Sequence, residues 1–186
     1  EGDYTLAEKD LAAYSYDDNA HTVDLDSENN QIKIVTATII TFHANYSGST
    51  ETATQKVVQG KQTMLRPNTF KNPGMTYVEW NTAENGTGDS YKADVAQTFN
   101  NDKTLYAQWR ERALSSIEVT ANKTSFAYGI VLRTDDFTVT AVYDNGERES
   151  VTEFSVSPNT ALTTPGTVQV TVTYQGKTQT CGITVD

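Results

Sequence analysis

Apolar and polar residues alternate in short runs along most of the chain, and clusters of Asn, Gly, Ser, Thr and Asp separate the runs. That period of two predicts strands joined by tight turns. His21-Thr22-Val23-Asp24-Leu25-Asp26 and Gln31-Ile32-Lys33-Ile34-Val35 flank a turn at Ser27–Asn30 and read as a hairpin. Thr38–Asn45 is a β-branched strand, Tyr46–Thr50 a turn, and Glu51–Val58 a second strand. Gln59-Gly60-Lys61 turns again. Pro67 ends regular structure after Thr63-Met64-Leu65. Phe70 falls in the following loop. Tyr77-Val78-Glu79-Trp80 is the next strand, and the turn Asn85-Gly86-Thr87-Gly88 comes after it. The run Val95–Phe99 and the strand Leu105–Trp109 complete this stretch. Trp80 and Trp109, the chain's only two tryptophans, each close an apolar strand and read as indoles delivered into a core.

Beyond a short charged hinge, Arg110-Glu111-Arg112-Ala113, the alternation resumes in Leu114–Thr120, Thr124–Gly129, Phe137–Tyr143, Glu147–Val151, Phe154–Pro158, Val168–Tyr174 and Thr178–Val185. Asp144-Asn145-Gly146 is a hairpin turn, and Gln175-Gly176-Lys177 is another. Seven short strands with regular turn signals predict a sandwich of two sheets. The pattern is weakest in 1–37, where Tyr4, Leu6, Leu11, Tyr14 and Tyr16 are irregularly spaced and Ala7–Ala13 could form one or two helical turns. Three parts follow. Residues 1–37 form an acidic segment that either ends a preceding domain or adds strands; 38–110 and 111–186 form two small β-domains.

Composition supports modularity. Leu is scarce, while Thr, Val and Tyr, which suit half-buried pleated surfaces, are common. Residues 1–37 hold nine acidic and two basic side chains, 38–110 hold six and seven, and 111–186 hold nine and five. The net charge of −10 excludes a basic footprint for nucleic acid, and it disfavours charge-driven adhesion to an anionic membrane. No apolar run is long enough for a membrane helix or signal peptide. The abrupt ends, Glu1-Gly2-Asp3 and Thr184-Val185-Asp186, read as those of a fragment of a longer protein. The single Cys181 allows no intrachain disulfide and reads as a small hydrophobe within a strand.

The stretches ITFHAN (40–45), GKQTMLRPNTFKNPGMTYVEWNTAENGTGDSY (60–91) and TLYAQW (104–109) resemble the Listeria–Bacteroides repeat, the internalin B-repeat type of module of Gram-positive surface proteins. The resemblance implies a small β-grasp-like fold and no catalysis. Departures are Asn45–Gly48 in place of a glycine pair, Met75 in place of an aromatic, and Glu79 in place of the glycine before tryptophan. Phe42, Leu65, Phe70, Tyr77, Trp80, Phe99, Leu105, Tyr106 and Trp109 are the expected core of this unit. LSSIEVTANKTSFAYG (114–129), FTVTAVYDNGERESVT (137–152) and SVSPNTALTTPGTVQVTVTYQGKTQTCGITV (155–185) resemble bacterial Ig-like domains, which lack the inter-sheet disulfide. The fold expected is therefore mainly β: a short hairpin-containing segment, a β-grasp-like B-repeat module and an Ig-like β-sandwich.

Catalytic chemistry has no visible constellation. His21 and His43 lie in different parts of the chain, and neither belongs to an HExxH or nucleophile pattern. Asn85-Gly86-Thr87-Gly88 is followed by Asp89-Ser90-Tyr91 and not by a Lys-bearing helix, so it is a hairpin turn rather than a phosphate cradle. Asp17, Asp18, Asp24, Asp26 and Glu28 lie close together without EF-hand spacing and read as a solvated acidic loop. Asn45, Asn85 and Asn122 begin N-x-Thr/Ser triplets common in such compositions. No Lys–Asn pair is singled out for an isopeptide crosslink. No catalytic, cofactor-binding or metal-ligating residue is assigned, no cofactor is expected, and ligand-binding residues stay open. The expected function is a non-catalytic stalk or adhesion segment of an extracellular bacterial protein. It would be a monomeric module without membrane insertion, with a host or cell-wall protein or glycan as partner. A carbohydrate-binding accessory region of an extracellular glycoside hydrolase is the alternative. A weaker one has 1–37 completing a domain whose active part lies elsewhere.

Overall fold

A computed structural model describes residues 21–26 and 31–186. The helical turns expected at Ala7–Ala13 and the acidic positions Asp17, Asp18 and Glu28 lie outside the described residues. Strands dominate: β1 His21–Asp26, β2 Gln31–His43, β3 Thr52–Val58, β4 Gln62–Thr63, β5 Met75–Asn81, β6 Ser90–Tyr91, β7 Gln97–Thr98 and β8 Lys103–Glu111, then β9 Leu114–Ala121, β10 Ser125–Phe126, β11 Phe137–Tyr143, β12 Arg148–Val151, β13 Ser155–Ser157, β14 Gly166–Tyr174 and β15 Lys177–Val185. Among the described residues the only helix is one 3-10 turn at Thr134–Asp136. The chain forms two compact units. The first takes in the described chain up to Pro73 together with Tyr77–Arg110; the second takes in Gly74–Thr76 and Glu111–Asp186.

In the first unit β2 is the common partner. Its N-terminal half pairs with β1, from His21↔Thr36 to Asp26↔Gln31, which realises the expected hairpin. Its C-terminal half pairs antiparallel with β3 from Ala37↔Val58 to His43↔Thr52, and parallel with β8 from Ile40↔Lys103 to His43↔Tyr106. The sheet runs β1-β2-β8-β5-β6, with β3 also on β2. One unbroken strand therefore spans residues 37 and 38, and the hairpin is an extension of the same sheet. A separate two-stranded ribbon joins β4 to β7. Alternation decides which side chains go inside. Ile40 and Phe42 of β2 and Leu105 and Ala107 of β8 are fully buried, and they meet Val57, Leu65, Trp80 and Phe99. Phe70 reaches this core from the irregular segment after Pro67 and meets the Trp80 ring edge-on at 6.0 Å. Tyr77 also packs there, three residues from Trp80 on the same strand, so β5 departs from strict alternation.

Three expectations change here. The run Val95–Phe99 is no full strand: only Gln97 and Thr98 pair, Phe99 is buried, and Val95 is 49% exposed. The four-residue hinge shrinks, because Arg110 and Glu111 close β8 and Leu114 opens β9. Tyr106 leaves the expected core, since it neighbours the inward Leu105 and Ala107 and so turns to the opposite face.

The second unit is the predicted sandwich, with its seven strands in two sheets ordered β10-β15-β14-β13 and β12-β11-β9. Both sheets face a common core. Ile117, Phe137 and Val139 come from one, Phe126, Val170, Val172, Ile183 and Val185 from the other, and Leu132 and Leu162 from connecting segments. Burial of each such side chain is worth roughly 1.5–3 kcal/mol. Both predicted hairpin turns form. Asp144-Asn145-Gly146 joins β11 to β12 with Gly146 at φ 83°, and Gln175 (φ 44°) and Gly176 (φ 78°) join β14 to β15. Two successive positive φ values are what a type I′ hairpin demands. Cys181 sits half-buried against this core, and burial pushes its thiol pKa up.

Candidate functional site

The loops at one end of the first sheet are built from polar side chains that satisfy backbone. Asn81 is almost completely buried directly after Trp80. Its Oδ1 accepts from the Ala83 and Gly88 amides at 2.9 and 3.0 Å, and its Nδ2 donates to the Gly86 and Gly88 carbonyls, both at 3.2 Å. One amide thus closes the whole 82–88 loop and leaves no buried backbone group without a partner there. Thr82 Oγ1 accepts from the Asp89 amide. A Cβ at Gly88 would lie 2.2 Å from that same hydroxyl, so the final glycine is required by close approach. This is the hairpin loop between β5 and β6, with Trp80↔Tyr91 and Asn81↔Ser90 as partners. Glu79, in place of the family's glycine, puts its carboxylate across the hairpin, where it accepts from the Ser90 hydroxyl.

Asn45 performs a matching service for the β2–β3 connection. It takes a left-handed φ of 53°, which Asn tolerates, and its Nδ2 donates to the carbonyls of Glu84 and Ala107, each at 2.9 Å. Gln108 donates to the Ala83 and Glu84 carbonyls. The two tryptophans divide here. Trp80 is 1% exposed, and its indole N–H has no partner among the described residues. Trp109 is only half-buried, with its Nε1 donating to the Ala44 carbonyl at 2.7 Å and Tyr46 set edge-on against it at 6.0 Å.

Between these fixed loops lies an open concavity of about 340 Å³. His43 and Tyr106 line it and are register partners on β2 and β8. Their rings lie 5.1 Å apart at 30°. Tyr46, Ser49, Glu51 and Glu84 complete the border. The side chains of Glu51 and Glu84 make no ion pair or hydrogen bond among the described residues. Sequence reasoning placed His43 on a strand and left it there. It missed Tyr106 as a lining residue, although the alternation of Leu105, Tyr106 and Ala107 carried the signal. His21 sits at the other end of the β1–β2 hairpin from His43, so the structure does not bring the two histidines together. Asp24 pairs with Lys61 at 2.5 Å, and among the described residues no group of three potential ligands could hold a metal ion.

The strongest electrostatic cluster is in the second unit. Arg112 forks onto Glu147 and Glu149 and lies 3.7 Å over the Tyr143 ring, and the Tyr143 hydroxyl donates to Glu149. Hydrogen bonding to Glu149 pushes the Arg112 pKa up. The Glu147 carboxyl is held below its ordinary range by Asn145 first, with the Gly74 amide and Arg112 adding to it; Glu149 is held low chiefly by Arg112. Every group in this cluster is paired in its charged state, so it braces the β11–β12 hairpin and offers no acid or base. A second concavity of about 520 Å³ lies beside it, bordered by Glu149, Glu153 and Tyr174.

Comparison with known families covers most of the described chain. Residues 39–108 match the family model described as the Listeria-Bacteroides repeat domain, and residues 119–185 match that of the bacterial Ig-like domain (group 3). No curated protein matches the chain. No helix among the described residues is long and apolar enough to cross a membrane.

Proposed function

For a chain that carries a Listeria–Bacteroides repeat domain followed by a bacterial Ig-like domain, we propose a non-catalytic role in display and adhesion within a bacterial cell-surface or secreted multidomain protein. The reading divides the chain into a leading segment at 1–37, a β-grasp-like module at 38–110 and an Ig-like module at 111–186. The β-grasp assignment draws support from the order β3-β2-β8-β5, in which the first and last of the four main strands are parallel neighbours. The partner is a host or cell-wall protein or glycan, met by a monomeric module outside the cell.

One observation carries the non-catalytic reading. Side chains able to do chemistry are committed to holding backbone and to ion pairing: Asn45, Asn81 and Gln108 close loops, and Arg112 with Glu147 and Glu149 braces a hairpin. An acid–base or nucleophilic pair within reach of a common substrate position is what enzymatic chemistry requires. The test is localisation and activity of the natural protein. Antibody raised against the chain should label intact cells or the culture medium. Turnover of polysaccharide by this chain alone, or labelling only after lysis, would overturn the proposal.

A second reading, a carbohydrate-binding accessory region of an extracellular glycoside hydrolase, is favoured by the near-parallel His43–Tyr106 pair on the outer face of the sheet. Genetic linkage of the chain to a hydrolase domain in one polypeptide would decide for it.

A further inference from the structure

We infer that the concavity bordered by His43, Tyr106, Tyr46, Glu51 and Glu84 is a binding subsite for an amino sugar, a hexosamine carrying a free, protonated amine. The inference rests on the adhesion reading, for which it names the ligand class.

Three observations converge. The first is a floor. His43 and Tyr106 are register partners on parallel strands, and their inward neighbours Phe42 and Leu105 are fully buried. The two rings therefore face away from the core, and at 30° they form one shallow apolar plane. A pyranose ring presents a flat face of C–H groups, and that face packs on such a plane through dispersion and burial of apolar area. The second is rigidity. Asn45 is bonded to Glu84 and Ala107, and Gln108 to Ala83 and Glu84, so both loops bordering the floor are fixed before any ligand arrives. A preformed surface loses less conformational entropy on binding. The volume of about 340 Å³ suits one or two sugar rings.

The third is charge. Glu51 and Glu84 are exposed on the rim, and neither carboxylate has a protein partner among the described residues. Elsewhere in this chain, carboxylates beside functional turns are paired: Glu147 and Glu149 with Arg112, Asp24 with Lys61. Two free carboxylates beside aromatic faces favour a cation, through a charge-assisted hydrogen bond and attraction to the ring faces. The net charge of −10 adds a long-range pull on a cationic polymer and repels uronic-acid polymers. Hydroxyls at Tyr46 and Ser49 supply the donors and acceptors that sugar hydroxyls need. An ammonium group on a hydroxylated ring satisfies all three features, whereas a lysine side chain uses only the charge.

The experiment is calorimetric titration of the 186-residue chain with glucosamine oligomers, their fully N-acetylated counterparts, a polyuronic oligomer and a lysine oligomer of matched charge. Saturable binding of the glucosamine oligomer is expected. N-acetylation should weaken it about tenfold, and Glu84→Gln and Glu51→Gln should each weaken it roughly three- to tenfold, in line with loss of one charge-assisted contact. Tyr106→Ala should abolish it. Because Tyr106 is half-buried, that variant is accompanied by the two surface Glu variants, which test the site without disturbing the core. Equal binding of the N-acetylated oligomer, equal binding of the lysine oligomer, or no binding of any sugar would each overturn the inference. None of those results touches the cell-labelling test, so failure of the subsite is distinguishable from failure of the adhesion reading.

Discussion

The two units solve the same problem with different materials. The first fills its core with rings: Phe42 and Trp80 lie 4.6 Å apart, Tyr77 and Trp80 5.3 Å, Tyr91 and Phe99 5.7 Å. Much of its chain is irregular, notably the stretch between β4 and β5, and buried polar side chains close its loops. The second fills its core with Val, Ile, Leu and two Phe, and closes its turns with two- or three-residue hairpins. Long ladders such as β14–β15, paired from Gly166↔Val185 to Tyr174↔Lys177, satisfy backbone groups without side-chain help. The difference shows a trade. Where the ladder is short, specific residues must do what repeated pairing does elsewhere. Failures in the first unit should therefore be concentrated at single residues, and those in the second spread over many.

The sharpest way to break that contrast is to delete one ring. Trp80→Ala should cost about 4 kcal/mol and strip amide-exchange protection from β2, β5 and β8, whereas Ile183→Ala should cost about 3 kcal/mol. If β14 and β15 lost as much protection as β5 in the Trp80 variant, the two units would form one cooperative body and the contrast would fail.

Next come the glycines. Gly88→Ala drives a Cβ into Thr82 Oγ1 and the Ala83 amide, and about 3 kcal/mol of destabilisation is expected. Gly146→Ala meets nothing within 4 Å and bears only the left-handed backbone cost of about 1 kcal/mol. Equal shifts in urea midpoint would show that the 82–88 loop relaxes freely. The asparagines sharpen the same point. Asn81→Ala removes four hydrogen bonds to buried backbone and should cost about 2–3 kcal/mol. Asn145→Ala, at a partly exposed hairpin tip, should cost about 1 kcal/mol or less.

The smallest effect concerns acid. Glu147 and Glu149 bind protons more weakly folded than unfolded, because Asn145 and Arg112 respectively favour their charged forms. Their contribution is complete above the ordinary carboxyl value of 4.5 and drains away as pH falls through the depressed folded values. A denaturation series from neutral to acid pH should show this loss, and Arg112→Gln should make the decline shallower. Identical pH profiles would mean that the exposed pairs contribute nothing measurable.

Period-two alternation made most strands legible. It located β2, β3, β5, β8 and all seven strands of the sandwich, because one face of each strand is buried and the other wet. It failed where burial follows tertiary geometry. Val95 is apolar in sequence but exposed, since only Gln97 and Thr98 find a partner strand. Tyr106 counted as core on size, yet its phase against Leu105 and Ala107 sends it outward. Trp80 and Trp109 looked equivalent, but only Trp80 is engulfed; the Ala44 carbonyl holds the other at the margin. The candidate concavity was illegible because its border is assembled from separate segments, 43–51, Glu84 and Tyr106, which only the pairing of β2 with β8 and the bonds of Asn45 bring together.

The parallel pairing of β2 with β8 also has a mechanical meaning. Tension along the chain pulls β2 toward its N-terminal end and β8 toward its C-terminal end. Since the two strands run side by side in the same direction, that load acts along their shared ladder as shear, and the bonds from Ile40↔Lys103 to His43↔Tyr106 must yield together. The β1–β2 hairpin, by contrast, peels open from His21↔Thr36 one rung at a time. The first unit thus places a compliant element ahead of a stiff one: a stretched chain would first lengthen by unzipping and then lock.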